Sequence, residues 1–240
     1  MGTSILFAYL KVSVTLSAFI LVTTEFIAFL DSDDWWDCEK LSESVMLLES
    51  GNIDVVYHNC QIISDQSRGD THCRRLSKEV FSDLIINGNT LVTSSIVVLK
   101  SAIIDVGCFS EDKEVIGWED YHLWIRLAEA NFQFGLIKKS LGFYRKGEDS
   151  FDTPQRALLN LIEIEKYFYH KHPSVVQLKY IWWIDYARGR VHMVSDNKNN
   201  GNKFFLNVVI NKSPLEYKIK ALYFLVKLVF SWIDVKSSLV

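Results

Sequence analysis

The 240-residue sequence predicts an α/β fold, a sheet flanked by helices, followed by a helical C-terminal region. Three observations carry this. Phe26 to Leu30, FIAFL, is a short continuous apolar run bounded by acids, as suits a strand buried on both faces of a parallel sheet. Beyond it, helical and β-rich segments alternate as far as Tyr144. From Pro154 onward the spacing of apolar residues is helical throughout.

Composition narrows the function classes. Hydrophobic residues make up 49% and aromatics 13%, which excludes a disordered chain. A formal charge of −3, with no basic patch interleaved with aromatics, argues against a nucleic-acid binder. Four cysteines without C-x-x-C spacing read as reduced thiols of a cytosolic protein. His58, Cys60, His72 and Cys73 could be drawn as a zinc set, but their spacing matches no common pattern, and His58 and Cys60 alternate along an expected strand.

Taken in order, residues 1–24 are an atypical N-terminal segment. Its apolar stretch, Val12 to Thr24, falls short of the ~20 residues a spanning helix needs. After the acidic loop, Leu41, Val45 and Leu48 lie at helical spacing within Asp37 to Glu49, and Gly51 is placed to stop that helix. Ile53 to Ile63 is β-rich, Ser64 to His72 a polar loop, and Ser77 to Ile86 a helix ended by Asn87-Gly88-Asn89. Thr90 to Leu99 is a second buried strand. Lys100 to Val106 is a short helix or turn. Gly117-Trp118-Glu119-Asp120 opens a helix through Ala130, with Leu123, Trp124 and Leu127 on its apolar face. Phe132 to Ile137 and Leu141 to Tyr144 are two short strands, and a charged loop over Arg145 to Thr153 closes this domain. Helices follow over Gln155 to His170, Val175 to Val194 and Leu215 to Val235, with a break at Ser195 to Asn202.

Three carboxylates, Asp31, Asp33 and Asp34, stand where the first strand leaves the core. In open α/β sheets ligands bind outside the carboxyl ends of strands. So anionic a cluster is costly without a cation, and hard oxygen donors suit Mg²⁺ or Mn²⁺ accompanied by a substrate phosphate. The competing reading is a solvated turn in which Asp34 or Asp37 caps the next helix.

A second constellation decides between them. FIAFLDSDDWW at 26–36, Lys40-Leu41, the Thr93 to Val97 element, Gly107 to Phe109, WEDYHLWIRLA at 118–128 and Tyr144-Arg145 occur together. In this combination the chain resembles the family-2 glycosyltransferases over residues 25–150. The resemblance implies a partial GT-A, Rossmann-like mixed sheet flanked by helices, with residues 151–240 as a helical extension.

The resemblance also implies roles. Asp31 and Asp33, a D-x-D pair, would hold Mn²⁺ or Mg²⁺, with Asp33 the main ligand, and Asp31, Asp33 and Asp34 would face the nucleotide-sugar donor. The ion would stabilise the diphosphate leaving group. Asp120 would take the proton of the acceptor hydroxyl, with Glu119 in reserve, and attack opposite the leaving group would invert the anomeric carbon. The structural role for both acids is to sit in the first turn of a helix, where its dipole favours them. Trp118 is placed to touch the acceptor, whereas Trp124 falls on the packed face. Arg145 would contact phosphate or lie in solvent.

The expected activity is therefore sugar transfer from a nucleotide-sugar donor to a saccharide or lipid-linked acceptor, in surface polysaccharide assembly. It would run in the cytoplasm, at the inner face of the plasma membrane if the chain docks there. Leu215 to Val235 mixes Lys218, Lys220 and Lys227 with apolar residues, and admits both a membrane-surface helix and a helix packed on the catalytic domain. Only 24 residues precede the acidic strand's first acid, where relatives carry further βα units, and no arginine precedes Arg68. The sequence thus suggests an N-terminal truncation with a shifted reading frame before Glu25. The alternative function is a catalytically incompetent remnant or interaction module of the same fold. A nucleotidyltransferase, which also uses paired aspartates, would need a Gly-rich basic phosphate loop that the sequence lacks.

Overall fold

A computed structural model describes residues 5–9, 23–64, 68–145, 153–178, 180–194 and 200–237. They form two compact units, residues 1–84 with 89–150 and residues 85–88 with 151–240.

The first unit is built on one seven-stranded sheet. Its strands are β1 (Ile5–Tyr9), β2 (Phe26–Leu30), β3 (Trp35–Trp36), β4 (Val55–Ile63), β5 (Arg68–Asp70), β6 (Val97–Leu99) and β7 (Phe134–Arg145). They run in the order β1-β2-β6-β4-β7-β3, with β5 on the side of β4. The sheet is mixed, not parallel: β2 pairs in parallel with β1 and antiparallel with β6. The helices of this part of the chain are α1 (Lys40–Leu48), α2 (Val80–Asn87), α3 (Lys100–Asp105) and α4 (Glu119–Glu129).

β2 lies inside the sheet, and alternate residues face opposite layers. Phe26 and Ala28 pack with Val56, Val97 and Leu48, against Leu41 and Val45 of α1. Phe29 meets Phe109 and Trp124 edge-on, with ring centroids 5.6 and 5.7 Å apart. Phe26, Ile27, Ala28 and Phe29 are all buried, as a strand covered on both faces requires. Gly51, at φ +78°, ends the segment after α1 in the left-handed conformation that favours glycine.

Several expected elements differ. Within Thr90 to Leu99 only Val97–Leu99 is strand, preceded by a 3-10 turn over Thr93–Ser95. The Ser95 hydroxyl donates to the Val92 carbonyl at 2.6 Å, a local bond that competes with strand pairing. The two strands expected between Phe132 and Tyr144 are one, β7. Its pairing with β4 shifts register around Asn59, so His58 faces Ile137 and Asn59 faces Ser140. Lys138 and Lys139 are absorbed in that bulge, and the Asn59 amide donates to the Lys138 carbonyl at 2.9 Å. The polar loop expected from Ser64 contains β5, with residues 65–67 outside the described residues. Residues 10–22, which hold most of the apolar N-terminal stretch, also lie outside them, as do 146–152 of the charged loop.

The second unit is helical: α5 (Pro154–Lys171), α6 (Pro173–Leu178), α7 (Trp182–Val194), α8 (Gly201–Ile210) and α9 (Leu215–Ser237). Thr153 caps α5 by accepting the Arg156 amide at 3.2 Å, and Pro154 opens its first turn. The expected helix from Val175 to Val194 is two helices, and α8 was not expected at all. Phe205, Val208 and Ala221 form the small core between α8 and α9, with Tyr186, Tyr217, Phe224 and Leu225 packed on it. Gly189 lets α7 pass close to it, since a Cβ there would stand 2.7 Å from the Phe205 ring. Among the described residues no helix is long and apolar enough to cross a membrane.

Candidate active site

The acidic loop is pinned at both ends of its turn. Where β2 ends, the Asp31 amide donates to the Ser94 hydroxyl at 3.0 Å. The Asp34 amide closes the turn onto the Asp31 carbonyl at 3.2 Å. Asp34 Oδ1 accepts the Arg145 backbone amide at 2.8 Å, and Trp35 and Trp36 then pair with Phe143 and Gly142 as β3. The loop is thereby fixed to the 3-10 turn on one side and to the end of β7 on the other.

Beneath it lies a buried polar anchor. The Ser94 carbonyl accepts both the Trp36 indole N–H at 2.7 Å and the Lys40 ammonium at 2.9 Å. Lys40 is 0% exposed and its nitrogen lies 3.6 Å from the centroid of the Trp36 ring. Burial pushes its pKa well below the usual lysine range. His58 is pushed down to about 4 by its own burial, with the Lys40 charge adding to it. Cys60 is pushed up to about 12, again chiefly by burial.

On the far side of the same turn, the Thr93 hydroxyl donates to Asp120 Oδ2 at 2.8 Å. The other oxygen, Oδ1, accepts the Tyr121 amide at 2.6 Å. Adjacent residues therefore hold the two acidic segments, Ser94 the loop at Asp31 and Thr93 the start of α4.

The electrostatics agree with that placement. Asp31 is pushed up to about 7, first by burial and then by the neighbouring charges of Asp34, Asp120 and Asp33, against an opposing hydrogen bond from Ser94. Burial also raises Asp34 and Asp120. Asp34 is 8% exposed, and its Oδ2 is buried with no hydrogen-bond partner among the described residues. A carboxylate such as Asp31, buried and raised by three neighbouring acids, is one that a cation would relieve.

Among the described residues no three His, Cys, Asp or Glu side chains form a group able to hold a metal by themselves. The acids fit a hard divalent ion that takes one or two carboxylates and fills its shell with phosphate and water, as Mg²⁺ commonly does. In the set of His58, Cys60, His72 and Cys73, the Cys73 thiol donates to the His58 carbonyl, and His58 Nδ1 meets the Asn59 carbonyl at 2.7 Å.

The remaining expected residues divide. Glu119 Oε2 accepts the Gly117 amide at 2.5 Å, a bond back to the segment just before α4. Trp118 is 4% exposed, donates its indole N–H to the Glu114 carbonyl and lies edge-on to Tyr121 and His122. A ring so enclosed offers no face to a sugar, which corrects the acceptor role expected from its place beside the acids. Trp124 is core, as expected. Arg145 is exposed, and its backbone, not its guanidinium, makes the contact with Asp34. Thr93, Ser94 and Lys40 lie within the sequence motifs, but nothing in their spacing announced that they hold the site together.

Comparison with known proteins finds similarity over part of the chain. Residues 15–109 match the family model described as glycosyl transferase family 2. The match starts before Glu25, where the resemblance was expected to begin, and ends before α4. The amylovoran biosynthesis glycosyltransferase AmsB of Erwinia amylovora is 28% identical over 131 residues, 52% of this chain and 43% of that protein. The Escherichia coli UDP-Glc:alpha-D-GlcNAc-diphosphoundecaprenol beta-1,3-glucosyltransferase WfgD is 31% identical over 110 residues, 44% of this chain and 39% of that one. The chain thus matches less than half the length of either relative. A crystal structure of S. aureus TarS 1-349 in complex with UDP-GlcNAc aligns with a TM-score of 0.48 at 14% identity, covering 80% of this chain and 60% of that one. By the family match and both sequence relatives, residues 15–109 of this chain are similar to glycosyl transferase family 2.

Proposed function

We propose that the chain transfers a sugar from a nucleotide-sugar donor to a saccharide or lipid-linked acceptor, in the assembly of a surface polysaccharide. The observation that carries this is the clasp of Thr93 and Ser94, which holds Asp120 and the Asp31 loop from one turn. The names of AmsB and WfgD support the polysaccharide setting, and that of WfgD makes UDP the first nucleotide to test and a polyprenyl-diphosphate acceptor the first lipid.

In this reading Asp120 accepts the proton of the acceptor hydroxyl, its carboxylate oriented by Thr93 and the Tyr121 amide. Its raised pKa brings it closer to neutrality, where a general base works best. The acceptor oxygen bonds to the anomeric carbon as the bond to the diphosphate breaks, and the diphosphate leaves with the electron pair. A single base acting opposite the leaving group gives inversion. Asp33, exposed at the tip of the loop, and Asp31 would hold Mn²⁺ or Mg²⁺. When bound, such an ion supplies Lewis-acid charge to the departing diphosphate. Four free cysteines suit a reducing compartment such as the cytoplasm.

Isothermal titration with UDP, GDP and dTDP in the presence of Mn²⁺ tests the reading. It expects binding of at least one nucleotide that is lost in Asp33→Ala. Silence with every nucleotide would leave a fold that cannot hold a donor.

A further inference from the structure

The helix α9 has two apolar faces, and only one is used. Tyr217, Ala221, Phe224 and Leu225 pack onto the core it shares with α8. Leu215, Ile219, Leu222, Tyr223 and Val226 are exposed, at 73, 59, 47, 60 and 52%. At 100° per residue these five fall within an arc of about 100° on the side away from that core. Five large apolar side chains in one exposed arc are a patch, not scattered surface hydrophobics.

Lysines border the arc, together with one acid, Glu216, about 20° beyond its Tyr223 edge. By the same helical geometry Lys218 lies about 40° beyond one edge, and Lys227 about 40° and Lys220 about 60° beyond the other. Lys220 is tied to Glu216. Lys218 and Lys227, with Lys212 just before the helix, have no ion-pair partner among the described residues. We infer that this face of α9 lies on the surface of a bilayer containing anionic lipid, the apolar arc entering the headgroup boundary and the lysines meeting phosphates at its rim.

Lysines at the rim of an apolar arc suit a bilayer with anionic headgroups. Among the described residues no helix is long and apolar enough to cross a membrane, and the inferred placement is along its surface. The inference needs neither the donor nor the acidic site, and stands or falls apart from the proposed transfer.

Co-sedimentation of the full chain with vesicles of phosphatidylcholine and phosphatidylglycerol in equal parts, against phosphatidylcholine alone, tests it. The expected result is sedimentation with the anionic vesicles that weakens with salt. Partitioning should fall at least about tenfold both in Lys218→Glu/Lys227→Glu and in Leu222→Gln/Val226→Gln, with thermal midpoints unchanged because all four side chains lie outside the core. No sedimentation of the wild type, or sedimentation of either variant equal to that of the wild type, would overturn it. So would a dimer in light scattering that Leu222→Gln/Val226→Gln dissolves while vesicles leave it intact.

Discussion

The Thr93 hydroxyl donates to the Asp120 carboxylate at 2.8 Å, across 27 residues of chain. Its neighbour Ser94 takes the Asp31 amide at 3.0 Å. One short turn thus sets the spacing between the acid expected to move a proton and the acids expected to face the donor. The turn is itself fixed from below, because the Ser94 carbonyl is held by Lys40 and Trp36.

Thr93→Val keeps the shape and removes the donor. A hydrogen bond to a carboxylate is worth about 1.5–3 kcal/mol, so transfer should slow about ten- to hundredfold. Nucleotide binding should be unchanged. The Thr93 bond lowers the Asp120 pKa. Without it that pKa rises further, and the acidic limb of the pH–rate profile moves to higher pH. Thr93→Ser should restore both.

Asp31 gives the metal-free protein a definite pH dependence. Its folded pKa of about 7 lies above the unfolded value of 3.8, so the folded state holds the proton more tightly. That contribution is fully present below the unfolded pKa, fades as pH rises and is gone above about 7. Asp31→Asn should therefore stabilise the metal-free chain by up to about 4 kcal/mol at pH 8 and by less than about 1 kcal/mol at pH 4, measured by urea unfolding. Equal effects at both pH values would contradict the assignment.

Lys40 is a buried amine whose hydrogen bond goes to a carbonyl. Lys40→Met fills the same space without a charge to desolvate and should be neutral or stabilising. Lys40→Ala leaves a cavity and should cost about 2–4 kcal/mol. Thermal unfolding of the pair separates the role of shape from that of charge.

Gly189→Ala should destabilise the helical unit by about 1–3 kcal/mol, because the new Cβ meets three Phe205 ring carbons at 2.7, 2.8 and 2.9 Å. Phe205 is fully buried and has little room to yield. The thermal midpoint of the variant checks this.

What could be foreseen from the sequence followed from local pattern. Phe26 to Leu30 announced a strand because a continuous apolar run needs cover on both faces. Trp124 announced itself as core through its spacing with Leu123 and Leu127. Contacts made across long sequence separations could not be foreseen. The Thr93 to Ser95 turn looks like strand by composition, yet the Ser94 hydroxyl and carbonyl are taken up by residues 54 to 63 positions away, and the Thr93 hydroxyl by Asp120, 27 away. Lys40 sits in an amphipathic helix where a lysine ordinarily faces water, and only the Ser94 carbonyl explains its burial. Trp118 adjoins the acids in sequence, but adjacency says nothing of direction, and its ring turns inward. Lys138 to Ser140 resemble a turn between strands because a bulge, like a turn, tolerates polar residues.

The most direct test of the nearness of Asp31 and Asp120 is the carboxyl titration of Asp31 by carbon-13 NMR, in the metal-free wild type and in Asp120→Asn. The account predicts a wild-type pKa near 7, raised in part by the charge at Asp120, and a lower value once that charge is removed. An Asp31 pKa that does not move would mean that the two carboxylates do not face each other.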